Sequence, residues 1–175
     1  TDWIYSVKFS PDGELLATAD RAGNLLLWQA ANGRAVEPLR GHTGPVYDLA
    51  YTADSALLLS AGADGQVFVW DTWAYKVVRN FGAHSGAVFS IDVSAAGQVL
   101  TAGQDGLTKR WDLNGAMQTQ YESLGDWAYQ TVFARGAELA ISGSWGGQIG
   151  VWNVTDAARL ASLTTTPAGS NNWMT

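Results

Sequence analysis

Tryptophan returns along this chain at Trp28, Trp70, Trp111 and Trp152, in steps of 42, 41 and 41 residues, and no other feature narrows the possible folds as much. A second landmark keeps nearly the same step: apolar strand openings at Ile4, Val46, Val88 and Ala128 stand 42, 42 and 40 residues apart. Two independent markers with one period imply a tandem array, in which each unit is too small to bury its own faces and must pack on its neighbours. The unit is clearest between Gly41 and Asp71. It holds a Gly-His pair, the run PVYDLAY, the run ALLLSAG, the dipeptide Asp64-Gly65, and the run QVFVW closed by Asp71.

These runs are short, rich in Val, Leu and aromatic residues, and bounded by Gly, Pro and Asp, so they read as strands joined by turns. The first unit opens with Ile4 to Phe9 and turns at Ser10-Pro11-Asp12-Gly13, whose residue types suit a type I turn. It continues through ELLATAD and NLLLWQ to a fourth strand over Ala35 to Leu39. Asp64-Gly65 and Asp105-Gly106 are favoured hairpin dipeptides, because both residues tolerate positive φ. ALLLS and VFVW are apolar on both faces, as in a sheet covered on both sides. In the third unit LTKRW puts Arg110 where the second unit has Val69. An unpaired buried guanidinium is costly, so either this strand lies nearer an edge, or Arg110 meets an acid, Asp92 being one candidate, or its head reaches solvent over its packed stem.

A period near 41 residues, four strands per unit, Gly-His early and Trp-Asp late together resemble the WD40-repeat family. The resemblance covers essentially the whole chain. It implies an all-β fold, a WD40-type β-propeller segment of four blades with four antiparallel strands each. The blades divide as 1–43, 44–85, 86–125 and 126–168, with 169–175 as the start of a further one. Asn172-Trp173-Met174-Thr175 reads like the openings Asp2-Trp3-Ile4-Tyr5 and Asp126-Trp127-Ala128-Tyr129. The expectation is therefore a piece of a longer array, whose free faces are met by other blades of the same longer chain or by a second copy completing the ring.

Composition removes several function classes. Hydrophobic residues make up 47% of the 175, ample for a core, and no run approaches the roughly 18 apolar residues of a membrane helix, so a soluble segment without a membrane span is expected. A net charge of −6, with ten Lys and Arg scattered along the chain, argues against general nucleic-acid binding. There is no cysteine, and the two histidines offer no spare pair at metal-ligand spacing, so no metal and no cofactor are expected. Gly143-Ser144-Trp145-Gly146-Gly147 lacks the Lys and the following helix of a phosphate loop.

Ser, His and Asp recur at matching offsets, and such residues are the ingredients of a nucleophilic triad. The resemblance implies otherwise. In this family His42, Ser60, Asp64 and Trp70 of blade two, and His84, Thr101, Asp105 and Trp111 of blade three, would form structural tetrads that satisfy buried polar groups. Blade one has Ala22 for the Asp, and blade four has Gly146 and Leu124 for the Asp and His, so looser outer blades are expected. An enzyme is not expected. The resemblance implies a scaffold or interaction module that binds a protein or peptide at the channel mouth. Its alternative is a non-catalytic targeting or regulatory domain of a larger multidomain enzyme or electron-transfer protein.

Peptide-binding WD40 propellers use three positions per blade: the second residue of the first strand, the residue two before it, and the residue preceding the tight-turn Asp. The first position reads Tyr5, Tyr47, Phe89 and Tyr129 here, aromatic in every blade. The second adds Trp3 and Trp127 beside Pro45 and Ala87, and the third adds Arg21, Gln104 and Trp145 beside Ala63. The competing expectation is that the rings pack on one another and plug the channel.

Overall fold

Residues 2–165 are described by a computed structural model. They form fifteen strands in four antiparallel sheets, and within each sheet the strands pair in chain order. Blade one holds β1 (Ile4–Phe9), β2 (Leu15–Asp20) and β3 (Leu25–Gln29). Blade two holds β4 (Val46–Tyr51), β5 (Leu57–Gly62), β6 (Gln66–Asp71) and β7 (Lys76–Gly82). Blade three holds β8 (Val88–Val93), β9 (Val99–Gly103), β10 (Thr108–Trp111) and β11 (Met117–Gln120). Blade four holds β12 (Ala128–Ala134), β13 (Leu139–Ser144), β14 (Gln148–Asn153) and β15 (Arg159–Thr164). The stretch Asn172 to Thr175 lies outside the described residues. Among the described residues no helix is long and apolar enough to cross a membrane.

Three local readings of the sequence are corrected. The fourth strand of blade one is reduced to two bridges, Trp28 with Ala35 and Leu25 with Leu39, because Pro38 between them has no N–H to donate. In the Asp-Gly turns only the glycine takes positive φ, 75° at Gly65 and 77° at Gly106. Each is a three-residue connection ending in a left-handed glycine, as the bonds Gly65 N to Gly62 O and Gly106 N to Gly103 O show. Arg110 does not pair with Asp92. Its Nη2 donates to Thr119 Oγ1 at 3.0 Å on the adjacent strand, while Asp92 accepts the Phe133 backbone N–H at 2.7 Å.

The first strands form an open arc, β1 on β4, β4 on β8, β8 on β12, with no comparable packing of β12 on β1. One contact repeats between blades. Leu49, Leu58 and Trp70 of blade two pack on Ala17, Ala19, Leu25 and Leu27 of blade one. Ile91, Val99 and Trp111 of blade three pack likewise on Ala50, Leu59, Val67 and Val69 of blade two. Trp152 with Ala140 does the same against Leu100 and Tyr121. Each tryptophan thus faces the preceding blade, and the next strand pair takes a register shift beside it, between Val69 and Trp70, Arg110 and Trp111, and Val151 and Trp152.

In blades two and three that tryptophan is wired to the turn between the second and third strands. Trp70 Nε1 donates to Ser60 Oγ at 2.8 Å, and His42 lies between the two ends, Nε2 at 2.8 Å from the hydroxyl and Nδ1 at 3.0 Å from Asp64 Oδ2. Blade three repeats this with Trp111 to Thr101 at 2.9 Å, His84 to Thr101 at 2.8 Å and His84 to Asp105 at 2.7 Å. A neutral imidazole protonated on Nδ1 satisfies every atom: indole donates to hydroxyl, hydroxyl to Nε2, Nδ1–H to carboxylate. Burial pushes both imidazoles below the ordinary histidine range, and the facing carboxylates restore only part of the difference. The outer blades lack the chain. Trp28 donates to Thr18 at 3.0 Å, whereas Trp152 Nε1 has no partner, and the Ser142 hydroxyl at the offset of Ser60 donates to the Gln130 carbonyl.

A Cβ at Gly150 would overlap the fully buried Trp152 ring, whereas one at Gly143, on the neighbouring strand, meets nothing within 4 Å. Gly150→Ala should cost about 1–3 kcal/mol in urea denaturation by overpacking. Gly143→Ala should stay within about 0.5 kcal/mol. For the tetrads, Trp70→Ala should cost about 3–5 kcal/mol, and His42→Ala about 1–3 kcal/mol. The depressed histidines also set a pH dependence. Between their folded-state value and about 6.5 the unfolded chain binds more protons, so stability falls as pH drops below about 6.5 and this contribution is level above it. Denaturation midpoints measured at pH 7.5 and 5.5 should differ less in His42→Ala than in wild type.

Candidate functional site

Three features repeat at the end of the sheets where the first strands begin. The pairing of first and second strands slips by one residue in every blade: between Ile4 and Ser6, Val46 and Asp48, Val88 and Ser90, and Ala128 and Gln130. The residue skipped is Tyr5, Tyr47, Phe89 or Tyr129. A bulge leaves its extra residue unpaired and re-aims the side chain, here toward the inner side of the arc. A backbone bond then closes each corner: Arg21 N to Trp3 O, Ala63 N to Pro45 O, Gln104 N to Ala87 O and Trp145 N to Trp127 O, all at 2.8–2.9 Å. It sets the residue before the turn beside the residue before the strand, so the three rim positions of each blade meet.

The rings run neighbour to neighbour around the arc. Centroids are 5.3 Å apart from Tyr5 to Tyr47, 5.5 Å from Tyr47 to Phe89 and 5.2 Å from Phe89 to Tyr129. Trp145 stands edge-on to Tyr129 at 5.4 Å, and Trp127 lies 5.8 Å from Phe89. They do not close the space between them. Trp145 is 66% exposed, Tyr129 46% and Trp127 43%, and a cavity of about 420 Å³ is lined by Tyr5, Tyr47, Phe89 and Tyr129. Burial and the neighbouring Tyr5 and Tyr129 raise the Tyr47 phenol above its usual value, so it is a neutral hydroxyl at physiological pH. Two rim side chains are already engaged: the Arg21 guanidinium sits 5.2 Å from the Trp3 ring centroid, and Gln104 Oε1 accepts the Ala87 N–H at 3.2 Å.

Beneath the rings lies a polar tier that the sequence reading missed. Asp48 and Gln130 line the same cavity. Asp48 Oδ1 accepts Ser6 Oγ at 3.2 Å and its own neighbour Leu49 N at 2.9 Å, and Oδ2 accepts Ser90 Oγ at 3.2 Å and Ile91 N at 3.1 Å. Gln130 Nε2 donates to Ser90 Oγ at 3.0 Å. Ser6, Asp48, Ser90 and Gln130 occupy the third position of the four first strands. A polar residue at that one offset in all four first strands was the available signal. A larger cavity of about 600 Å³ lies at the other end of the strands between blades one and two, lined by Asp12, Glu14, Gln29, Trp73 and Tyr75 among others. None of the sequence-predicted residues borders it.

The tetrad residues His42, Ser60, Asp64 and Trp70, with His84, Thr101, Asp105 and Trp111, stand inside the blades. The hydroxyls of Ser60 and Thr101 are fully buried and bonded on both sides. Among the described residues no group of three or more His, Asp or Glu side chains converges as a metal site would.

No curated protein matches the chain significantly. A family model described as WD domain, G-beta repeat matches residues 1–29, 33–71 and 75–112, more than half of the chain. The repeated strand quartets, the tryptophan facing each preceding blade and these matches agree, and the chain belongs to the WD40-repeat family.

Proposed function

We propose that this segment is a protein-interaction scaffold whose binding surface is the aromatic rim, receiving an extended segment of a partner across Trp127, Tyr129 and Trp145. WD40 repeats generally act as protein-interaction scaffolds and are generally non-catalytic. The observation that carries the reading is the aromatic bulge residue in all four blades, held out of the sheet pairing and left partly open to solvent. Aromatic rings give large contact area at small entropic cost and dominate interface energetics. The tetrads support it from below, since the turns that carry Ala63 and Gln104 are tied to the blade core through Asp64 and Asp105. A hydroxyl bonded on both sides inside a blade has no path to a substrate.

The outward faces of the arc support a second element of the proposal. Blade one offers Val7, Leu16 and Trp28 at the offsets of Leu49, Leu58 and Trp70, and Val7 is 53% exposed where Leu49 is buried. Blade four offers Val132, Ile141, Ile149 and Val151 at the offsets of Ala50, Leu59, Val67 and Val69, with Val132 44% exposed. The two faces therefore reproduce the two halves of the internal blade contact. The occupant that fits each face is another such blade, supplied by further repeats of a longer chain or, for these 175 residues taken alone, by a second copy head to tail.

Light scattering should show a dimer or larger species at micromolar concentration, and a stable monomer would remove the second element. For the rim, peptides selected from a displayed random library on the immobilised protein should bind Tyr129→Ala/Trp145→Ala at least about tenfold more weakly, a loss of about 1.4 kcal/mol. The melting temperature should barely move. A collapsed melting temperature with unchanged affinity in the folded fraction would place these rings in the core.

A further inference from the structure

The cavity behind the rim has a chemistry narrower than that of a general hydrophobic platform. Its wall is four aromatic rings, Tyr5, Tyr47, Phe89 and Tyr129, and among the described residues its only carboxylate is Asp48. Asp48 accepts four hydrogen bonds from neutral donors, two hydroxyls and two backbone amides, which hold both oxygens in place without neutralising the charge. Among the described residues no Lys, Arg or His stands within ion-pair distance of it. The one cationic rim side chain, Arg21, is stacked on Trp3. More negative charge flanks the opening: Asp126 Oδ1 caps the Trp127 N–H at 2.7 Å and Asp2 Oδ1 caps the Trp3 N–H at 2.8 Å.

Ring faces are electron-rich, and a cation held over them with a carboxylate beyond is attracted by both. The same acids repel phosphate, which sets nucleic acid aside in spite of the stacking surface. Resting on the rim reading above, we infer that the cavity receives the cationic side chain, Lys or Arg, of a basic extended segment in the partner protein. The ammonium or guanidinium points toward Asp48, and the aliphatic stem lies between Tyr47, Phe89 and Tyr129. The volume of about 420 Å³ is in the range of sites that enclose a ligand group. The net charge of −6 adds long-range attraction for such a segment.

The rim-selected peptides provide the probe. They should be enriched in Lys or Arg, and replacing that residue by norleucine, which keeps the stem and removes the charge, should weaken binding to wild type about tenfold. In Asp48→Asn the same replacement should matter several-fold less. Phe89→Leu, which keeps apolar bulk and loses the ring, should lower affinity for the cationic peptide more than for its norleucine analogue, so the inference is testable even if Asp48→Asn folds poorly. Rim-dependent peptides that tolerate norleucine without loss would overturn the cation inference and leave the rim reading standing. Selection yielding no peptide sensitive to Tyr129→Ala/Trp145→Ala would overturn both.

Discussion

The packing of one tryptophan-bearing sheet face on the small aliphatic face of the preceding blade is the contact on which the rest of this structure depends. Trp70 and Trp111 are almost wholly buried by it and Trp152 wholly so, while Trp28, with no blade before it among the described residues, is half-buried. Burial of a residue this large supplies much of what a sheet of four short strands cannot supply alone. It also explains the 41-residue step, because every unit must present both halves of the same contact. The indole N–H then has to be satisfied inside the blade. Where Ser60 or Thr101 and a histidine are present the solution is complete, and in blade four Trp152 is left without a partner.

The rim is a by-product of this architecture that the chain is free to decorate. The bulge on each first strand and the backbone bond across each corner use only main-chain atoms, so they hold whatever side chains stand there. Packing fixes the residues two positions further along, such as Leu49 and Ile91, which are buried between blades. The chain has placed aromatic residues at all four bulges and concentrated tryptophans on blade four. Rigid positions with unconstrained identity are where recognition is most readily built.

Much of the fold could be read from the sequence because two periodic markers reported the same contact, the strand opening and the tryptophan lying together in each inter-blade cluster, as Val46 with Trp70 and Val88 with Trp111. The aromatic rim was legible for the same reason, since Tyr5, Tyr47, Phe89 and Tyr129 share one offset. Departures came where a single residue broke the local rule without breaking the period: Pro38 thinning a strand, or Arg110 turning to Thr119 rather than to Asp92. Asp48 escaped notice because its role lies in bonds to Ser6 and Ser90, each 42 residues away, which no pattern within one unit contains.

The proposed recognition happens at the strand-opening end of the arc, over the aromatic tier and not at the larger cavity of the opposite end. Hydrogen exchange of the protein with and without a bound selected peptide tests this directly. New protection should appear at the rim amides, those around Tyr5, Tyr47, Phe89 and Tyr129 and at Trp127 and Trp145, with the far end unchanged. Protection instead at Asp12 to Leu15, Gln29 to Ala31 and Thr72 to Tyr75, with the rim exchanging as before, would contradict it.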